Sequence, residues 1–126
     1  MYKISVELGF SAAHSLRIEH HRCENLHGHN WKVIATVRSL TLNQFGMVMD
    51  FHDLKAALRP VLARLDHTMI NSVEPFTTVN PTAENLSRFV AESLAGSLPA
   101  GVELDSVKVY ESEGSSALYI PDGRAL

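Results

Sequence analysis

Residues 3–14 read Lys3-Ile4-Ser5-Val6-Glu7-Leu8-Gly9-Phe10-Ser11-Ala12-Ala13-His14. Ile4, Val6, Leu8 and Phe10 fall on one parity, and Lys3, Ser5 and Glu7 on the other. That is the period-two pattern of a strand with one buried face. The same pattern returns from about His27 to Arg38, where Trp31, Val33, Ala35 and Val37 share a face. Between the two lies SLRIEHHRCEN, residues 15–25, a polar loop. Leu42 to Gly46 reads as a turn, and Met47-Val48-Met49 as a short extended piece.

The period then changes from two to helical. Asp50 stands where an N-cap carboxylate accepts first-turn amides, and Leu54, Leu58, Leu62 and Leu65 follow at helical spacing. Pro60 falls inside this helix and predicts a kink or break near Leu58. Residues 66–81 are irregular. Pro81 disfavours helix at Asn80, and Thr82 caps a second helix with the apolar stripe Leu86, Phe89, Val90 and Leu94. Gly96 is its expected stop. Two strands close the chain. Val107, Val109 and Glu111 share a face of the first, and Ser116 to Ile120 form the second before a Pro-Asp-Gly turn. The expected fold is α+β: one domain over residues 1–126, a four-stranded antiparallel sheet with two helices on one face, in the order ββααββ. Both sheet edges stay open in that arrangement, which invites oligomerisation.

Composition narrows the function. The 126 residues are 45% apolar and 20% charged, enough for a packed core. A net charge of -3 argues against a nucleic-acid partner, since such binders usually carry a basic surplus. One cysteine excludes an internal disulfide and a four-thiolate zinc site. The N-terminal MYKISVELGF lacks the basic flank and apolar stretch of an export signal, and no apolar run is long enough for a bilayer. A cytoplasmic protein with no membrane partner is the expectation.

Five of the seven histidines lie between positions 14 and 29. His27 and His29 flank Gly28, and in an extended segment residues two apart point the same way. Gly28 leaves the backbone free for close approach or an unusual dihedral. If the first two strands pair antiparallel, His14 comes level with both. Three imidazoles with an open fourth position have the composition of a catalytic zinc site. His20, His21 and His52 read as surface residues. Cys23 lies in a polar, partly basic loop, and spacing alone leaves it as metal ligand, base or bystander. Asp66-His67 reads locally as a C-terminal histidine complementing a helix dipole, or as an acid–base histidine beside a carboxylate. Glu111 continues an apolar strand face, so it sits at a frayed end or binds something.

Together these residues resemble the 6-pyruvoyl-tetrahydropterin synthase family. The resemblance rests on Cys23-x-x-x-His27-Gly28-His29, His14 in FSAAH, Met49-Asp50-Phe51, Leu65-Asp66-His67, Asn80 to Asn85 (NPTAEN) and Val109-Tyr110-Glu111-Ser112. These stretches follow the family's order along nearly the whole chain. The short length and the CENLHGHN wording are most similar to the bacterial 6-carboxy-5,6,7,8-tetrahydropterin synthase branch, which acts in queuosine biosynthesis.

The resemblance implies the tunnelling fold (T-fold), with subunits joined edge to edge, usually as a homohexamer of two trimers with active sites between subunits. It implies Zn2+ on His14, His27 and His29, Cys23 as general base, Asp66 and His67 as a proton relay, and Glu111 as anchor of the pterin ring. It implies 7,8-dihydroneopterin triphosphate as substrate, losing triphosphate and, in the carboxy-forming branch, acetaldehyde. A 6-pyruvoyl product, or cleavage to a hydroxymethylpterin, is the related alternative. A catalytically inactive metal- or pterin-binding protein and a structural zinc module are the non-enzyme ones. After Glu111 the family often has Thr-Pro and then Trp, where this chain has Ser112-Glu113-Gly114 and no Trp. Arg17, Arg22 and Lys32 are the candidate triphosphate contacts.

Overall fold

The computed structural model describes residues 1–18, 22–23 and 25–121, with the side chains of Arg22 and Cys23 left aside. Two long strands dominate, β1 (Tyr2–His14) and β4 (His27–Ser39). They pair antiparallel without a register shift, from Tyr2 opposite Ser39 to His14 opposite His27. Between them, β2 (Arg17–Ile18) and β3 (Arg22–Cys23) form a two-stranded ribbon, so the expected loop carries a small hairpin.

Among the described residues the sheet has five strands and is mixed, not four and wholly antiparallel. Its order is β5-β1-β4-β6-β7, with β5 (Thr68–Met69), β6 (Glu103–Ser112) and β7 (Ser115–Tyr119). The added strand runs parallel to β1 beside Ala12 and Ala13. Two residues are too short to carry a readable alternation.

Two helices cover one face: α1 (Phe51–Ala63) and α2 (Ala83–Ala95). Leu54, Leu58, Val61 and Leu62 of α1, and Leu86, Val90 and Leu94 of α2, pack on Val6, Phe10, Trp31, Val33, Ala35, Val37, Val107 and Val109. The caps are as expected. The Asp50 carboxylate accepts from the His52 amide at 2.7 Å, and the Thr82 hydroxyl accepts from the Asn85 amide at 3.1 Å. Gly96 ends α2 in a right-handed conformation, with φ -76°.

Three local expectations change. Helix α1 is continuous through Pro60. Pro60 and Ala56, whose carbonyl loses its helical donor, are both exposed, so water can serve that carbonyl. Met47 to Met49 form no strand: Val48 and Met49 are bends, and both are buried in the core. Asp66 and His67 lie beyond the helix, whose C-cap is Arg64, so His67 does not complement the helix dipole.

Strand β6 explains its own irregular pattern. Thr36 opposes Ser106 while Val37 opposes Leu104, so Asp105 is an extra residue. The bulge lets Leu104 and Val107, three apart, both face the core. It also turns Asp105 out to Lys3 at 3.0 Å and Arg38 at 3.9 Å. Among the described residues no helix is long and apolar enough to cross a membrane.

Leu54 is fully buried under β1 and should be costly to truncate. Leu54→Ala is expected to lose about 2–5 kcal/mol of stability, read from chemical denaturation midpoints. A loss below about 1 kcal/mol would contradict this core assignment.

Candidate metal centre and active site

The inward face of the sheet is apolar along most of its length and polar at one end. On β1 the inward parity runs Val6, Phe10, Ala12, His14; on β4 it runs Val37, Val33, Trp31, His29, His27. Register places His14 opposite His27, and Ala12 opposite His29. The rings stack in T-shapes, with centroids 4.9 Å apart for His14 and His27, and 4.5 Å for His27 and His29. Trp31 forms the floor, its ring centroid 4.8 Å from that of His14, and its indole N–H donates to the Ala12 carbonyl at 3.2 Å.

Glu111 enters from β6. Tyr110 opposes Ser116 and Ser112 opposes Ser115, so Glu111 is the extra residue of a second bulge. Bulges re-aim side chains beside functional sites. Glu111 Oε1 lies 3.0 Å from His29 Nε2 and 3.9 Å from both His14 Nε2 and His27 Nε2. The donor atoms of His14, His27, His29 and Glu111 all lie within 4.8 Å of one another.

Hydrogen bonds fix which nitrogens face inward. His14 Nδ1 lies 2.8 Å from the Pro81 carbonyl, and His27 Nδ1 lies 2.7 Å from the Asn25 carbonyl. A carbonyl only accepts, so each Nδ1 carries the proton and each neutral ring turns its Nε2 lone pair into the cluster. His14 is fully buried, and its Nε2 has no hydrogen-bond partner among the described residues. Lone pairs and a carboxylate oxygen thus converge on one point, a donor set that fits a divalent cation with imidazole affinity.

The Asp66–His67 pair is built separately. The Ser11 amide donates to Asp66 Oδ1 at 2.9 Å, and the His67 amide donates to the Ser11 carbonyl at 2.6 Å. His67 has φ 57°, in the left-handed region that side chains rarely adopt, and its Nδ1 lies 3.0 Å from Asp66 Oδ2. The Ser11 amide is the largest cause holding the Asp66 carboxyl below its ordinary value; burial opposes it, and His67 adds further lowering. His67 lines an open groove whose strand residues include Ser11, Ala12, Ala13, Gly28, His29 and Asn30. The groove thus reaches His29, yet Asp66 and His67 lie outside the four-donor group, at the β1 edge. Gly28 has ordinary strand geometry and open space where a side chain would sit, so neither a close approach nor an unusual dihedral requires it.

Of the other sequence candidates, Cys23 has its backbone paired with Arg17, and its side chain lies outside the described residues. His20 and His21 lie outside them too, as does the Arg22 side chain. His52 is exposed. The Arg17 guanidinium donates to the carbonyls of Phe76, Thr77 and Val79. Lys32 is on the outward face, its ammonium 4.3 Å from the Tyr110 ring centroid. The Glu113-Gly114 turn that replaces the family's usual proline is exposed at the β6–β7 hairpin tip. Trp31 and Pro81 are functional neighbours that sequence reading treated as core and helix punctuation. Trp31 was legible in its shared parity with His27 and His29, whereas Pro81 was not.

The fold and this histidine cluster define a T-fold enzyme of the pterin-processing lyase class. Residues 3–122 match the family described as 6-pyruvoyl tetrahydropterin synthase, and the chain belongs to that family. It is 37% identical to the 6-carboxy-5,6,7,8-tetrahydropterin synthase of Synechocystis, over 94% of this chain and 93% of that protein. It is 33% identical to the dihydroneopterin monophosphate aldolase of Pyrococcus furiosus, over 86% of this chain and 89% of that one. The solved structure of Caenorhabditis elegans 6-pyruvoyl tetrahydropterin synthase superposes with a TM-score of 0.85 at 28% identity, covering 96% of both chains.

The depressed Asp66 value carries a sign. A carboxyl lowered on folding adds stability above its unfolded value, near 3.9, and that stability is lost as pH falls through the folded value. Carboxyl carbon NMR should therefore place the Asp66 midpoint below that of an ordinary aspartate. It should stay low in His67→Ala, because the Ser11 amide is the largest cause. An ordinary midpoint in the unmodified protein would refute the contact.

Proposed function

We propose that this protein is a zinc-dependent lyase acting in the cytoplasm. It converts 7,8-dihydroneopterin triphosphate to 6-carboxy-5,6,7,8-tetrahydropterin, with release of acetaldehyde and triphosphate, in queuosine biosynthesis. The observation that carries the reading is the convergence of His14, His27 and His29 at the end of the sheet in a chain of this family. The CENLHGHN wording and the likeness to the Synechocystis enzyme support the carboxy branch.

His14, His27 and His29 hold the metal. When bound, zinc supplies Lewis acidity to the substrate's side-chain hydroxyls. Glu111 fixes the pterin, its carboxylate accepting from the ring's amino and N–H groups. Cys23, as thiolate, removes the proton from the substrate side chain. Asp66 orients His67 through Nδ1 and leaves Nε2 to move protons. The bulge at Glu111 and the Asp66–His67 contact support these assignments.

Asp66 and His67 lie outside their own chain's four-donor group, which supports active sites shared between subunits. Strand pairing leaves most of the outer edge of β1, and that of β7, unjoined among the described residues. These edges suit assembly of a homohexamer as two trimers.

Incubation with dihydroneopterin triphosphate should give acetaldehyde and the 6-carboxy product, identified by mass spectrometry. A pyruvoyl product without acetaldehyde would sink the carboxy assignment. In the same assay Cys23→Ala should keep its zinc and lose at least about 100-fold in turnover. Unchanged turnover would remove Cys23 from the base role.

The 3.0 Å approach of Glu111 to His29 favours a second reading for that residue, as a fourth metal ligand. Glu111→Gln separates the two. As pterin anchor it should raise KM with zinc affinity kept within about threefold, whereas loss of a ligand costs about tenfold or more in affinity. We expect the first outcome, from chelator competition.

A further inference from the structure

The irregular segment between the helices makes contacts that the proposed chemistry leaves unexplained. Two of its asparagines grip the backbone just past His14, each by both ends of its side-chain amide. The Ser15 amide donates to Asn71 Oδ1 at 2.9 Å, and Asn71 Nδ2 donates to the Ser15 carbonyl at 2.8 Å. The Arg17 amide donates to Asn80 Oδ1 at 2.8 Å, and Asn80 Nδ2 donates to the Arg17 carbonyl at 3.0 Å. Each amide acts as a strand partner for one residue.

Asn80 is also covalently joined to Pro81, whose carbonyl holds His14 Nδ1. The Asn80 carbonyl accepts from Asn85 Nδ2 at 2.9 Å and from the Thr82 amide at 2.9 Å. Its side chain is thereby fixed to the chain leaving β1, and its backbone to the start of α2. Pro81 is buried between those anchors. The Arg17 guanidinium ties the preceding carbonyls of Phe76, Thr77 and Val79 to the same place.

We propose that Asn80 is a positioning residue for the metal centre. By clamping Arg17 it sets the Pro81 carbonyl against His14 Nδ1, and so keeps the His14 Nε2 lone pair aimed at the other donors. The chain of cause runs from Asn80 to Pro81 to the tautomer and ring orientation of His14. The inference rests on reading the three histidines as a metal site. Its first step, control of the tautomer, needs no metal.

The test uses the full chain and two readouts. In the metal-free protein, at a pH where the imidazoles are neutral, nitrogen NMR should report His14 as the Nδ1–H tautomer. Asn80→Ala should lose that preference. Co2+ affinity, from chelator competition followed by the visible spectrum, should fall about 10–100-fold in Asn80→Ala. Asn80→Asp keeps the acceptor for the Arg17 amide and loses the donor to its carbonyl, so a smaller fall of about three- to tenfold is expected. That variant decides the matter if Asn80→Ala fails to fold.

Asp50→Ala removes the cap of α1 far from His14, and should lower the melting temperature while leaving Co2+ affinity unchanged. A fall in affinity as large in Asp50→Ala as at Asn80 would make the effect one of general stability and overturn the proposal. So would an affinity within threefold of the unmodified protein in the folded Asn80 variants. If the unmodified protein binds no Co2+, the metal reading fails on its own. Retention of the Nδ1–H tautomer in Asn80→Ala, or in Asn80→Asp if Ala does not fold, would then sink the clamp.

Discussion

The antiparallel register of β1 against β4 is the constraint from which the site follows. Side chains alternate across a sheet, so slipping the pair by one residue would send every inward group of one strand outward. Val33, Ala35 and Val37 would leave the core with His27 and His29, because all share one parity. Burying a single Val or Phe side chain is worth roughly 1.5–3 kcal/mol, and several depend on this register. The packing energy that selects the sheet therefore also selects which donor atoms converge. His14 arrives opposite His27 by the same choice, although the two are far apart in the chain.

Much of this was legible because it rests on local patterns. Alternation located both long strands, Asp50 and Thr82 marked helix starts, and the inward parity of His27 and His29 followed from their spacing. Glu111 announced itself as a carboxylate on an apolar face. What stayed hidden depends on contacts between distant segments. Thr68 and Met69 pair with β1 over only two residues, so no periodicity marks them as a strand. Arg17 looked like a phosphate contact by charge, yet its guanidinium is held by three backbone carbonyls near position 77. Pro60 looked like a breaker, but a solvent-facing carbonyl can lose its helical partner cheaply.

The bulges show a middle case. A strict period of two along β6 would place Asp105 inward with Val107 and Val109, a charged group against the core. One extra residue there removes the conflict and turns Asp105 toward Lys3. The bulge at Glu111 meets the opposite need, leaving a carboxylate on the inward side where the apolar stripe ends. Sequence signals the conflict in both places and does not say how the backbone resolves it.

The end of the inward face is where stability and function oppose one another. His14 is fully buried with one ring nitrogen bonded to Pro81 and the other without a hydrogen bond among the described residues. Leaving a buried polar group unsatisfied costs about 1–3 kcal/mol. A leucine at that position would carry no such cost and would extend the stripe of Phe10 and Ala12. The chain instead holds the ring against the indole of Trp31 and a backbone carbonyl, which orients it without filling the Nε2 lone pair. A cation bound there offsets the cost only in the folded state, so ligand binding and folding stability are coupled through this one nitrogen. The rest of the core, from Val6 to Leu94, needs no such partner. The sheet is thus stable by its apolar majority, and spends a small part of that stability on the donor cluster at one end.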